Sequence, residues 1–292
     1  MIRGLYTAAA GLVTQQRRHD TATQNIANLN TMGYKQVDSV NHAFPEVMIA
    51  AMQGKFSRNI GKINTGVFAE QSISQYNQGT SVETGKPLDF ELYADLQLQD
   101  PATGENMNFD GSGKYIGEDG TIYHKPQAFF TVQDDEGNNL YTRDGSFKVS
   151  PDGTVMTPSG FRVLDANGNP LVLNGIMEDD LKVDGQGNVL NPATGQPSGA
   201  RLGISVVTNP SQLVRDGNGV FHAENLGEAG IRFAQAADNL EVRQGFLEGS
   251  NVDSTQVMVD LNAAYRAYEA NQKVVQFYDS SLQKAVTEIG RV

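Results

Sequence analysis

Residues 1–35 read MIRGLYTAAAGLVTQQRRHDTATQNIANLNTMGYK, a stretch in which Ala, Thr, Gln and Asn outnumber large apolar side chains. Ile2, Leu5, Ala9, Leu12, Gln16, His19, Thr23 and Ile26 nevertheless fall at unbroken 3-4-3-4 spacing, which predicts a helix with a coiled-coil-like seam and a polar middle. Such a seam buries little by itself, so its partner has to supply most of the apolar surface. The other end of the chain offers one: Val257, Leu261, Ala264, Tyr268, Asn271, Val275, Tyr278, Leu282, Ala285 and Ile289 keep the same alternation. With no Gly or Pro from Asn251 to Ile289, one helix of up to about 58 Å is expected there. Asp253 or Ser254 would cap its start, and Gly290 would stop it.

Between these ends the character changes. All 10 prolines lie between Pro45 and Pro210, and the glycines concentrate in the same region. From Phe129 to Leu173 short Val, Phe, Tyr and Leu runs alternate with Asp-Gly, Gly-Asn and Ser-Gly pairs, the pattern of many short strands joined by tight turns. Asp144-Gly145, Asp152-Gly153, Asp184-Gly185 and Asp216-Gly217 read as successive turn tips, too irregular for an exact repeat. The expected class is α+β: long N- and C-terminal helices pairing as a coiled-coil-like stem around a central all-β domain. The boundaries read as an N-terminal helix and motif over 1–45, an extended linker over 46–75, the β domain over 76–245 and the C-terminal helix over 246–292.

A chain of 292 residues with 39% hydrophobic content can bury a substantial core. Its net charge of -12, with no basic run beyond spots such as Arg17-Arg18, argues against nucleic acid or an anionic membrane as main partner. The absence of cysteine excludes disulfides, thiol catalysis and thiolate metal sites. The N-terminus lacks the unbroken apolar segment of a cleaved secretory signal, and no stretch is long and apolar enough to span a membrane. Export, if it occurs, is expected to use an uncleaved signal.

No motif assembles into an active site, and neither catalytic, cofactor-binding nor metal-binding residues are expected. GTSVETGKP from Gly79 has the wrong spacing for a phosphate loop and carries Pro87 where Ser or Thr should hold magnesium, so it reads as a turn before the strand at Leu88. DANGNP from Asp165 opens like a calcium loop but places Pro170 at the required glycine and Ile176 at the bidentate carboxylate, leaving a hairpin turn. His19, His42, His124 and His222 stand singly. The acidic runs Asp134-Asp135-Glu136 and Glu178-Asp179-Asp180 are read as solvated faces rather than a glycosidase pair. Tyr265, Tyr268, Phe277 and Tyr278 on the last helix fit either an intramolecular helix pair or a subunit interface.

NIANLNTMGYK and GFLEGSNVDSTQVMVDLNAAYRAYEANQKVVQFYD resemble the bacterial flagellar rod and hook family, most closely its distal-rod branch and that branch's Gram-positive relatives. In the middle, TGKPLDF, AFFTVQ and YTRDGSFKVSPDGTVMTPSGF are similar to its β-domain. Met32 stands where relatives often carry proline, Phe246 where tyrosine is common, and a turn-rich insertion at about 90–128 lengthens one connection. The resemblance implies a structural, non-enzymatic rod subunit in the axial shaft between motor and hook, exported by the flagellar type III apparatus to the basal body in the cell envelope. The partners implied are other copies, neighbouring rod and hook proteins and the export apparatus, with peptidoglycan nearby. The assembly residues it points to are Leu5, Leu12, Asn25, Ile26, Asn28, Gly33 and Tyr34 at one end. At the other they are Asn251, Val252, Asp253, Val257, Leu261, Tyr268, Asn271, Val275, Tyr278 and Leu282. The rival expectations are a hook-type axial protein, and behind it an envelope protein that binds or hydrolyses glycan, or an adhesin using the insertion.

Overall fold

The computed structural model describes residues 2–45, 47–53, 56–63, 66–69, 72–100, 104–110, 113–117, 120–173, 176–235 and 238–289. They form two compact units, one comprising Met1–Ala27, Val37–Ile73 and Asp253–Val292, the other Asn28–Gln36 and Ser74–Val252. The α-helices described are α1 (Ile2–Ala27), the single-turn α2 (Leu226–Ala229) and α3 (Ser254–Lys284), which runs on into a π-helical turn at Ala285–Ile289. Gly290, the expected stop, lies outside the described residues.

The first unit contains α1 and α3. Gly4 lies against Tyr278, Gly11 against Asn271, and Arg18 Nη2 reaches Asp260 Oδ1 at 2.8 Å. Positions that rise along α1 meet positions that fall along α3, so the helices run antiparallel. On α3 the buried stripe falls where the spacing puts it: Val257 and Ala264 are buried, and Leu261, Tyr268, Asn271, Val275 and Tyr278 are half-buried. Leu282, 37% exposed, is turned further out.

On α1 the stripe corrects the expectation by one residue. Ala8, Thr14, Ala22 and Asn25 are buried and Gly4, Gly11, Gln15 and Arg18 half-buried, whereas Ala9, Gln16 and Thr23 are exposed; Leu5, Leu12, His19 and Ile26 flank the stripe half-buried. The side chain of Ile2 lies outside the described set. Size explains the shift: α3 presents Tyr278 and Asn271, and α1 meets them with its smallest residues. A Cβ on Gly4 would run into the Tyr278 ring, and one on Gly11 would stand 3.0 Å from Asn271 Nδ2.

Residues expected as an extended linker contain paired strands instead. Val47–Gln53 pairs antiparallel with Phe56–Ile63, and Asn41–Ala43 with Val67–Ala69. The second pair is tied to α1, where Arg17 Nη1 donates to the Ala69 carbonyl at 3.0 Å. An apolar run such as VMIAAMQ leaves its backbone groups unpaired unless a second strand meets it, and FSRNIGKI supplies that strand.

The second unit is built on a nine-stranded antiparallel sheet around Gln127–Gln133, which pairs with Asn139–Thr142, Arg162–Val163 and Ile204–Val207. Its sequence QAFFTVQ is apolar on both faces because both are covered. Phe130 and Val132 enter a core with Phe90, Leu92, Phe147, Val163 and Leu202, while Phe129 packs in a smaller one with Tyr141, Val207 and Phe221. Fully burying each such side chain is worth about 1.5–3 kcal/mol. The strand Phe90–Ala94 pairs with Leu240–Gln244, so the expected insertion starts within the core sheets; its described part includes the hairpin Lys114–Ile116 with Ile122–His124.

One turn recurs. Asp134, Asp165 and Asp184 each accept at Oδ1 from the amides two and four residues on, and Gly137, Gly168 and Gly187, three residues on, have φ of 89°, 83° and 83°. These are hairpin loops closed by an Asx turn and a left-handed glycine. Asp152-Gly153, Asp184-Gly185 and Asp216-Gly217 sit in hairpin loops as expected. Asp144-Gly145 does not. Asp144 binds the Ser146 amide and hydroxyl, and Gly145 is pressed against the Phe90 carbonyl, so that glycine is there for close approach.

Candidate assembly interface

The outward faces of the terminal helices carry several large apolar side chains among their polar ones. On α1, Tyr6 is 69% and Val13 54% exposed, seven residues apart on one face. On α3, Val259, Val274 and Phe277 line the side away from the Val257–Ala264–Tyr268 stripe, and Met258 and Tyr265 flank it, all exposed. The four aromatics of α3 are therefore divided: Tyr268 and Tyr278 turn inward, Tyr265 and Phe277 outward. Asp253 caps α3 by accepting from the amides of Thr255 at 2.8 Å and Gln256 at 3.1 Å.

The N-terminal motif works residue by residue. Asn25, 3% exposed, clamps the Val37 backbone with both amide atoms, at 2.8 and 3.0 Å. Asn28 accepts from the Thr31 hydroxyl and amide, making the turn that follows α1. Gly33 adopts φ 68° and donates its N–H to the Glu248 carbonyl at 2.7 Å. Tyr34 is buried beneath Arg215, whose guanidinium carbon stands 4.5 Å from the ring centroid; burial pushes the phenol up.

Lys35 enters a buried cluster. Its Nζ donates to Glu248 Oε1 at 2.6 Å and to the Asn77 carbonyl at 2.8 Å. Arg143 donates from Nε to Glu248 Oε2 at 2.7 Å, from Nη1 to the Ala128 carbonyl and from Nη2 to Gln78 Oε1. All three charged side chains are only 1% exposed. Burial drives the Lys35 amine down to about 8, helped by Arg143 and opposed by Glu248. Burial alone would raise Glu248, but the charges of Arg143 and Lys35 outweigh it and hold the carboxyl below its ordinary value.

The C-terminal motif meets the same ground. Asn251 accepts from the Gln36 amide at 2.6 Å and donates to the carbonyls of Gln75 and Asn77; Val252 is half-buried beside it. Of the residues singled out for assembly, Asn25, Gly33 and Tyr34 are thus buried against their own chain, whereas Leu5, Leu12, Ile26, Leu261, Val275 and Leu282 retain exposed surface. Sequence reasoning missed Lys35, Arg143 and Glu248, which stand in GYK, YTRDG and FLEGSN.

Among the described residues there is no group of His, Asp or Glu arranged to hold a metal ion, and no helix long and apolar enough to cross a membrane. Family models match three parts of the chain: the flagella basal body rod protein at residues 5–35, the flagellar hook protein FlgE/F/G D1 domain at 126–214, and the flagellar basal body rod FlgEFG protein C-terminal region at 243–288. Over 100% of both chains it is 31% identical to the flagellar hook-basal body complex protein FlhO of Bacillus subtilis. It is 28% identical to the flagellar basal-body rod protein FlgG of Buchnera aphidicola subsp. Baizongia pistaciae, over 97% of this chain and 98% of that one. With FlgG of Borreliella burgdorferi the identity is 27%, over 97% of each. Relatedness along the whole chain, with the N-terminal, D1 and C-terminal matches in family order, establishes that this protein belongs to the flagellar basal-body rod and hook family, a family of structural proteins.

Proposed function

We propose that the chain is a structural subunit of the flagellar rod, which assembles through its terminal helices into the shaft that carries torque from motor to hook. The observation that supports this reading is the outward apolar face of α1 and α3. Phe277 at 68%, Tyr6 at 69% and Val259 at 59% exposure are large apolar groups that water solvates poorly, and neighbouring chains would cover them. The antiparallel helices serve as a coiled-coil-like stem, in which Leu5, Leu12, Ile26, Leu261, Val275 and Leu282 present their partly exposed sides to neighbouring subunits. Repeated head-to-tail contacts of this kind do not close, so they propagate along an axis. Copies of the chain and adjoining rod and hook proteins are the partners. Export proceeds without signal cleavage through the type III apparatus, and the assembled shaft passes close to peptidoglycan.

The test is replacement of the outward apolar groups. Phe277→Asp places a charge where a neighbour should pack, and is expected to leave β-unit melting unchanged while cells lose completed rods and motility. Normal basal bodies in Phe277→Asp cells would overturn the assignment of this face.

A further inference from the structure

Three stretches connect the β unit to the rest of the chain: 28–36, 74–80 and 248–252. Each belongs to the β unit, and each is fastened to the other two. Lys35 binds Asn77 O and Glu248 Oε1; the Gly33 amide binds the Glu248 carbonyl at 2.7 Å. The Gly79 amide binds Glu248 Oε1 at 2.8 Å, and the Gly249 amide binds the Thr80 carbonyl at 2.7 Å. Asn251 holds Gln36, Gln75 and Asn77, and the Gln75 amide reaches the Gln36 carbonyl at 2.7 Å. Arg143 joins this knot to the central strand through Ala128 O at 2.8 Å, and Tyr76 packs edge-on against Phe129 of the same strand.

We propose that Glu248 is the keystone of a clasp that makes these three connecting stretches one mechanical element anchored on the central sheet. A carboxylate suits the position. It accepts from one donor on each of the other two stretches, Lys35 Nζ and the Gly79 amide, while its second oxygen holds the Arg143 anchor. Being buried, the cluster is screened little by salt and strains as a unit, because a buried charge left without its partner is strongly destabilising. Load arriving on one stretch is therefore shared among three before it reaches the sheet. The load-sharing role rests on the rod reading above, whereas the coupling of the stretches does not.

Hydrogen exchange on the full-length chain tests the coupling directly. Lys35→Met removes the contribution of the first stretch but keeps the Glu248–Arg143 pair, so the β unit stays folded. The clasp requires the amides of Gly33 and Gln36, and with them those of Gly79 and Gly249 on the other stretches, to lose protection at least tenfold, while Thr131 and Val132 keep theirs. Loosening confined to residues 33–36 would overturn the proposal, and so would uniform loosening that includes the central strand. Glu248→Gln provides the second reading: the same four amides loosen, more than in Lys35→Met. Equal or smaller loosening would remove Glu248 from the centre. Both patterns are read on purified chain, so they stand or fall independently of whether the chain is found in the rod.

Discussion

Gly33→Ala tests how the N-terminal motif docks. At φ 68°, an L-side chain costs about 1–2 kcal/mol. The space is also closed: a Cβ would stand 2.5 Å from the Arg143 carbonyl carbon and 2.6 Å from the Asp144 nitrogen, and both atoms are backbone that cannot swing aside. Overpacking of that kind adds about 1–3 kcal/mol. Displacing the segment also weakens the Gly33 to Glu248 hydrogen bond, for about 1 kcal/mol more. The expected total is about 3–6 kcal/mol. Gly85→Ala is the matched control, because Gly85 has φ 67° with nothing within 4 Å of its Cβ position. It should cost only the conformational part, about 1–2 kcal/mol. At about 2–4 °C per kcal/mol for a unit of this size, thermal unfolding of the two variants should separate by on the order of 5–15 °C. Equal melting temperatures would refute the close approach of residue 33 to the Arg143 backbone.

Three further outcomes follow from the same contacts. A fragment spanning 28–252 should unfold in one transition, whereas 76–245, which lacks Glu248 and leaves Arg143 buried without its carboxylate, should be less stable by at least about 3–5 kcal/mol in denaturant titration. Because the Lys35 amine is depressed to about 8 when folded, the unfolded chain binds the extra proton between that pH and its ordinary value of 10.5. β-unit stability should therefore rise with pH across that window, by at most about 1.4 kcal/mol per unit, and Lys35→Met should flatten the rise. Tyr76, raised by burial to about 12, works the other way above pH 10, so stability should turn down there. Finally, Asn271→Leu, which replaces the amide facing Gly11, should raise the melting of the helical signal by about 1 kcal/mol while admitting slipped registers; a lower melting point would mean that the amide makes a bond worth more than the added apolar contact.

The stripe on α3 was legible in sequence because its large residues keep the helical period and face inward. The same rule misplaced α1 by one residue, since spacing was counted on bulky side chains whereas packing against Tyr278 and Asn271 selected Gly4, Ala8 and Gly11. Turn chemistry was readable in the Asp–Gly pairs but not at Asp144-Gly145, where the glycine is required by the Phe90 carbonyl rather than by a loop. The Lys35–Glu248–Arg143 cluster was invisible because single charges ordinarily stay in water. Only long-range pairing, across 213 and 105 residues of chain, makes their burial tolerable. The strands Val47–Gln53 and Phe56–Ile63 are hard to read in sequence because an apolar run shows itself as a strand only beside the partner it pairs with.

The claim that this chain is an axial subunit is tested most directly by a cryo-electron-microscopy map of purified basal bodies from cells carrying it. Helical density in the rod should fit this chain, with α1 and α3 packed against neighbouring copies through Tyr6, Val259 and Phe277. A rod built without it, or one in which those side chains face solvent, would contradict its place as an axial subunit.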